Sequence, residues 1–383
     1  MRHGWVALIC LALSACATPQ IAPQQPAILL HDEAFQPRAV PARPDVFAVS
    51  ASMRQYLEVE ISGQLRSKGK LRGLVAALES NAQLKLEYDA SVTRSAADTF
   101  EARAGNCLSL TIMTAALARE LGLRVSFRRV LVDETWIRKD NTLFLGGHVN
   151  IVLAPSAADQ LGSLNPAAGV IVDFLPNEEL RRQRSREIHE NTVIAMFMNN
   201  RAAETMAGGL LDEAYWWARG ATTHDPRFLE ALNTLGVIYS RRGLLVQAEG
   251  LFEHVLALEA ENTSALANLA GVLEKQGRAA AALAMRERLQ RIEAHPPFHY
   301  FDLGLAAMKR RDFAAARDSF ARELDRNASY HEAHFGMAAA YLGLGDLRAA
   351  QKHLAAALEA STNRREHDLY AAKLEWLRSR RAQ

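Results

Sequence analysis

A period of 34 residues in the C-terminal half constrains this chain more than any other feature of it. Windows beginning at residues 195, 229, 263, 297 and 331 place Ala202, Gly236, Ala270, Gly304 and Ala338 at the eighth position. The same windows place Ala214, Ala248, Ala282, Ala316 and Ala350 at the twentieth. Large fillers recur at the seventh position (Leu235, Leu269, Leu303, Met337), and the fifteenth holds Gly209, Gly243, Gly277 and Gly345, with Arg311 the one departure. Small residues at fixed places let two helices approach closely, large ones pack against the next pair, and a glycine ends the first helix in a tight turn. A helix pair cannot bury its apolar face alone, so units of this kind must stack. Composition agrees: 49% of the chain is apolar but only 7% aromatic, which suits packed helices better than β-sandwiches.

The pattern resembles the tetratricopeptide repeat, down to Pro226 at position 32 of the first window and Phe252 and Phe320 at position 24. That resemblance implies five repeats over residues 195–364, forming an all-α right-handed solenoid whose concave face takes a peptide or protein partner. Arg201 stands where leucine is expected, so the first window reads as a capping repeat. Residues 365–383 carry Leu369, Leu374 and Leu377 on one face among many charges, the pattern of a polar-backed capping helix. The Trp216 and Trp217 pair, Tyr239 and Tyr341 read as packing groups. His331 and His334 lie three apart on a helix with no cysteine or third ligand near them in sequence, so neither a metal nor a cofactor is expected.

At the other end, a positive start and an apolar run from Trp5 to Leu13 read as a secretory signal over residues 1–15. Such a run is too short to cross a bilayer core of about 30 Å as a helix. Leu13-Ser14-Ala15-Cys16 resembles the lipobox of bacterial lipoproteins, which implies cleavage before Cys16 and lipid on that cysteine. Membrane association would then run through the lipid anchor only, and Ala17 in place of Asp resembles lipoproteins of the outer membrane, facing the periplasm. Residues 16–45 hold six of the 12 prolines and read as a Pro-rich tether. With 45 Lys and Arg against 43 Asp and Glu, a net charge of +2 gives no electrostatic case for nucleic acid.

Residues 46–190 suffice for one α+β domain with its own core. Apolar spacing predicts helices over 47–61 and 72–84, a third over 95–103 capped by Ser95, and a fourth that opens at Cys107 and ends at Gly122. Alternation predicts strands over 124–132, 142–145, 148–153 and 170–175. Cys107 therefore sits on the first turn of a helix, where free N–H groups and the dipole favour a thiolate. With Cys10 removed in the signal and Cys16 lipidated, it would be a lone thiol in an oxidising compartment. A nucleophilic cysteine needs a base, and the base needs an acceptor. His148 and His189 compete for the base in this region, and only His148 lies on an alternating strand; Asp173 supplies the acceptor from the next one. The competing reading is a small buried core thiol beside a hydrogen-bonded imidazole.

Cysteine at a helix start, histidine 41 residues on and aspartate 25 further resemble the transglutaminase-like superfamily. The chain looks especially like bacterial members with an Arg-x-Gly-Asn-Cys-Leu-Ser motif (Arg103 to Ser109), a His-Val-Asn strand (His148 to Leu153) and a Val-Asp-Phe strand (Val172 to Phe174), followed by tetratricopeptide repeats. Tyr88-Asp89 and Thr93-Arg94-Ser95-Ala96 also fit that pattern. The resemblance implies an α+β transglutaminase-like domain with a papain-like core, joined to the repeat solenoid. It also implies acyl transfer at Cys107, His148 and Asp173, with water as acceptor in a peptidase or amidase and an amine in a cross-linking enzyme. Asn106 caps the helix or assists the site, and Trp136 either shapes the pocket or packs a loop. Asp133, Glu134, Asp140 and Asn141 read as a turn-forming loop before His148. The alternative function is a non-catalytic adaptor that assembles an envelope complex.

Overall fold

Ser50 starts the first helix by accepting the Met53 N–H on its side chain, as an N-cap should. In the computed structural model, which describes residues 30–42, 44–79, 84–139, 142–156, 169–174, 185–293, 295, 298–361 and 364–381, helix α1 (Ala51–Gln55) continues into a π-helical turn over Tyr56–Glu60. Helices α2 (Ser62–Lys68) and α3 (Lys70–Glu79) follow, broken from each other at Gly69, whose φ of 78° no β-carbon favours. Ser95 caps α4 (Ala96–Ala102), as its sequence position predicts. Two short parallel strands, β1 (Glu87–Tyr88) and β2 (Ala104–Gly105), then lead into α5 (Cys107–Glu120). Every side chain of α5 from Leu108 to Ala118 is buried, which is why the stretch is apolar but for Ser109, Thr111 and Thr114.

The sheet is antiparallel and four-stranded, in the order β5 (Val170–Val172), β4 (Thr142–Ala154), β3 (Arg124–Lys139), β6 (Ser185–Ile188). Where alternation predicts three short strands between 124 and 153, the backbone makes one long hairpin, so Asp133 and Glu134 belong to β3 and not to a loop. Pairing overrides weak local alternation here, with a register shift between Val130 and Thr135. Strand β6 carries one apolar residue in four and no alternation; pairing with β3 alone makes it a strand.

From Glu190 the chain is a helical solenoid of tetratricopeptide-like pairs: α6 (Glu190–Ala207) with α7 (Leu211–His224), α8 (Leu229–Arg242) with α9 (Leu245–Leu258), α10 (Thr263–Lys275) with α11 (Ala279–Ile292), α12 (His299–Lys309) with α13 (Phe313–Arg326), and α14 (His331–Gly343) with α15 (Leu347–Glu359). Helix α16 (Arg364–Arg381) closes the array against α15. Small eighth positions have a direct cause. A β-carbon on Gly236 would stand 2.6 Å from the Phe252 ring, and one on Gly304 2.5 Å from Phe320. The turn position is left-handed every time, from φ 77° at Gly277 to 85° at Gly243, and Arg311 is forced to 62°.

A continuous hydrophobic core runs from Phe35 through α5, β3 and β4 and on to Ala282 in the third repeat, while the last two repeats and α16 form two smaller clusters. The stretch expected as a tether is in part folded: residues 30–42 lie on α7 and α8, with Phe35 buried, while 16–29 lie outside the described residues. Phe35 is the buried anchor of that stretch, and side-chain and backbone bonds from its neighbours to α7 and α8 complete the docking. Among the described residues no helix is long and apolar enough to cross a membrane.

Releasing the left-handed strain at Arg311 should stabilise the fourth repeat. Arg311→Gly is expected to gain about 0.8 kcal/mol, the difference between a left-handed penalty of roughly 1–2 kcal/mol and a glycine entropy cost of roughly 0.4–1 kcal/mol. Gly236→Ala should instead lose about 1–3 kcal/mol by overpacking against Phe252. Urea unfolding of the two variants checks both signs, and equal stability of all three proteins would contradict the packing argument.

Candidate active site

Asn106 builds the site's first element. Its extended backbone stops the preceding chain, and its Oδ1 accepts both the Ser109 N–H and the Ser109 hydroxyl at 2.9 Å, capping α5 so that Cys107 is the first helical residue. Gly105 precedes it because a β-carbon there would meet the Ser109 Cβ at 2.8 Å. The Asn106 amide donates to Thr93 Oγ1 at 2.8 Å. Thr93 is held in turn by the first repeat helix: its N–H donates to Glu204 Oε1 at 2.7 Å, and Asn200 Nδ2 donates to its Oγ1 at 3.2 Å. Burial raises the Glu204 carboxyl above the usual range despite its bonds to Thr93 and its ion pair with Arg201. Arg94 secures the same turn, its N–H donating to Ser109 Oγ at 2.9 Å and its guanidinium pairing with Asp89 at 2.9 Å.

His148 stands on β4 opposite Val130 and is 4% exposed. Its Nε2 lies 2.8 Å and 2.9 Å from the two carboxylate oxygens of Asp173, which immediately follows β5 and has a side chain only 2% exposed. Asn150, two residues along the same face, donates to the second oxygen at 3.1 Å. The other ring nitrogen, Nδ1, is buried without a conventional hydrogen-bond partner among the described residues, and the Cys107 thiol neighbours the ring. Burial alone would lower the imidazole. The bond to Asp173 and the adjacent Cys107 outweigh it and push the pKa up to about 9.

The three side chains singled out at sequence level thus meet in one place: carboxylate, imidazole and thiol, in that order. Tyr88 joins them. Its hydroxyl lies at the Cys107 thiol and backbone N–H; the residue as a whole is 36% exposed, but desolvation of the hydroxyl end, with Cys107 second, holds the phenol above the ordinary tyrosine range and so protonated. Spacing assigned Tyr88 no role, and only its place beside Gly105 on the parallel β1–β2 pair brings it there. Nor could local pattern find Asn200 or Glu204, more than ninety residues away. His189, the competing base in sequence, is the N-cap of α6 and makes no side-chain cap bond. Trp136 is on β3 opposite Leu145, but its side chain lies outside the described residues, as does Cys16 altogether.

One group with metal-ligand chemistry occurs among the described residues, and it is elsewhere. His331, Glu332 and Glu366 bring their ligand atoms within 4.8 Å of one another. The third member was invisible in sequence because Glu366 arrives on the capping helix. His334 faces His353 instead, at 3.2 Å. The His331 Nδ1 is bonded to the Tyr370 hydroxyl at 3.0 Å, so the group fastens α16 to α14.

No family model matches the chain, and no curated protein matches it. Solved structures similar to it include YrrB, described as a TPR protein with an unusual peptide-binding site, at 20% identity and a TM-score of 0.25 over 47% of this chain and 92% of that one. TTC0263 of Thermus thermophilus, a thermophilic TPR protein, is 20% identical with a TM-score of 0.31, covering 47% of this chain and 98% of its own. MamA is 22% identical with a TM-score of 0.26, covering 45% and 93%. The repeat assignment rests on the period and the glycine–phenylalanine packing of this chain itself.

Because the folded-state value of His148 lies above that of the unfolded chain, its contribution to stability is fully present below about 6.5 and is lost as pH rises through about 9. Histidine NMR should show His148 titrating near 9 and falling back in Asp173→Asn. A wild-type midpoint at or below 6.5 would remove Asp173 and Cys107 as its dominant neighbours.

Proposed function

We propose that this chain is a thiol acyl-transfer enzyme of transglutaminase-like type, exported and lipid-anchored through Cys16, with its repeats binding peptide or protein. The observation that carries the reading is a buried imidazole bonded through Nε2 to Asp173, its Nδ1 left without a conventional partner beside the Cys107 thiol. In acylation the Cys107 thiolate attacks an amide carbonyl, forming the C–S bond. His148, charged as an imidazolium, gives its proton to the amine as the C–N bond breaks. Asp173 fixes the ring and stabilises the imidazolium, and Asn150 holds the carboxylate that does so. In deacylation water or an amine attacks the thioester, His148 takes its proton, and the thiolate leaves. Water makes the protein a peptidase or amidase, and an amine makes it a cross-linking enzyme. Ser109 N–H is taken by the Asn106 cap and Cys107 N–H by the Tyr88 hydroxyl, so the Leu108 N–H on the first turn of α5 and the protonated Tyr88 hydroxyl supply donors at the oxyanion.

The same arrangement distinguishes an enzyme from an adaptor by experiment. Iodoacetamide should label Cys107 down to about pH 6, and His148→Ala should slow that labelling at least tenfold. Labelling confined to pH above 8 would leave the adaptor reading. Tyr88→Phe is expected to lower acyl transfer by roughly 10²-fold, the cost of one oxyanion donor, with labelling retained. For the anchor, Cys16→Ala should move the protein from the membrane to the soluble fraction, and an unchanged distribution would defeat it.

A further inference from the structure

Residues 30–42 are bound to the repeats as a peptide is bound, not packed as a domain is packed. Asp212, Tyr215, Trp216 and Arg219 form one stripe along α7 at spacings of three, four and seven, and Tyr239 and Arg242 form another on α8. Between the stripes the Phe35 ring stacks on Tyr215 with centroids 4.0 Å apart and planes at 2°, and the Arg242 guanidinium carbon lies over the Phe35 ring, 5.1 Å from its centroid. The Asp32 carboxylate accepts from the Tyr215 hydroxyl at 2.5 Å and from Arg219 Nε at 2.7 Å. The remaining bonds read backbone only. Tyr239 accepts the His31 N–H, Arg242 donates to the Ala34 carbonyl, Asp212 accepts the Gln36 N–H, and Trp216 Nε1 donates to the Gln36 carbonyl at 2.8 Å. Phe35 is 4% exposed, while every other described residue from 30 to 42 stays half-buried or exposed.

One buried aromatic anchor, one carboxylate in an Arg–Tyr clasp and backbone bonds along both edges make a linear-motif site. We propose that this groove recognises segments that make a single 3-10 turn, carrying a carboxylate at its first residue and an aromatic ring three residues later, and that residues 31–36, whose turn spans Asp32–Ala34, are its intramolecular occupant. The partner it fits is therefore another protein's Asp-x-x-Phe segment, which must displace the strap to bind. The proposal refines the peptide-binding half of the proposed function and does not depend on the thiol chemistry. The bonds that hold Asp32 and the backbone are all ones a second peptide can replace, and nothing in the strap other than Phe35 contributes a fully buried side chain.

The test uses full-length protein carrying Cys107→Ala, so that a failure of the enzyme reading leaves it untouched, and a fluorescent peptide of residues 28–42. Asp32→Ala/Phe35→Ala protein should bind this peptide at least tenfold more tightly than protein with the native strap, because a tethered competitor acts at an effective concentration in the millimolar range. Adding Arg219→Ala and Arg242→Ala should abolish that binding. In protein with the native strap, saturating peptide should speed hydrogen exchange at the His31 and Gln36 amides, a readout that holds even where the released variant fails to fold. Equal binding with and without the native strap, or unchanged exchange at those amides under saturating peptide, overturns the proposal.

Discussion

The first turn of α5 is the constraint on which the rest of the structure depends. A buried helix start leaves N–H groups that must find partners inside the protein, and Asn106 meets one of them through Ser109. That solution brings obligations of its own: the Asn106 amide must also be satisfied, which places Thr93 beside it, and Thr93 must be held, which brings in Glu204 and Asn200. Each bond is a modest gain where it forms. Leaving any one unmade inside the protein would cost roughly 1–3 kcal/mol, so the set is retained or lost together. The thiol is positioned by this chain of necessities, one end of which lies in the first repeat helix.

For the same reason the α+β region and the repeats are not two bodies on a string. Helix α6 contributes Val193, Ile194, Met198 and Met206 to the core that also contains Ile112 and Ile151. Arg119 pairs with Glu190 at 2.6 Å across the junction, and Arg129 pairs with Glu230. The poor match of the first window to the 34-residue pattern of the others then has a physical cause. A helix that must face a neighbouring domain on one side and a repeat on the other cannot keep the residues of an internal repeat, so Arg201 stands where leucine would, holding Glu204. The last repeats, with clusters of their own, follow the nearest-neighbour stability of ordinary solenoids.

How much was legible in the sequence depended on how local the cause was. Ser95, Asn106 and Gly122 mark helix ends through bonds or dihedrals spanning a few residues, and each stands at the boundary expected of it. The 34-residue period is legible because the clash of Gly236 with Phe252 repeats at Gly304 with Phe320. His148 and Asp173 are legible as strand neighbours because β4 and β5 are adjacent in the sheet. Illegible were the features made by distant partners: β6, the strap on α7 and α8, Tyr88 at the thiol, and Glu366 at His331. Trp216 and Tyr239 read as packing groups in sequence because a stripe that holds a peptide has the same spacing as one that holds a helix.

Burial acts in the same direction on His148, His331, His334 and His353, and their partners do not. Burial lowers His331, His334 and His353, and neither the Glu366 carboxylate near His331 nor the Ala328 carbonyl at His334 reverses it. At His148 the same burial is overcome, because Asp173 offers both oxygens within 2.9 Å and the thiol lies beside the ring. An ionised pair in a core is weak evidence for stability, since an apolar pair of similar volume is often as stable or more so. Asp173, Asn150 and His148 are therefore poorly explained as scaffolding. They are the arrangement required if a charged imidazole is to persist next to a sulfur at neutral pH.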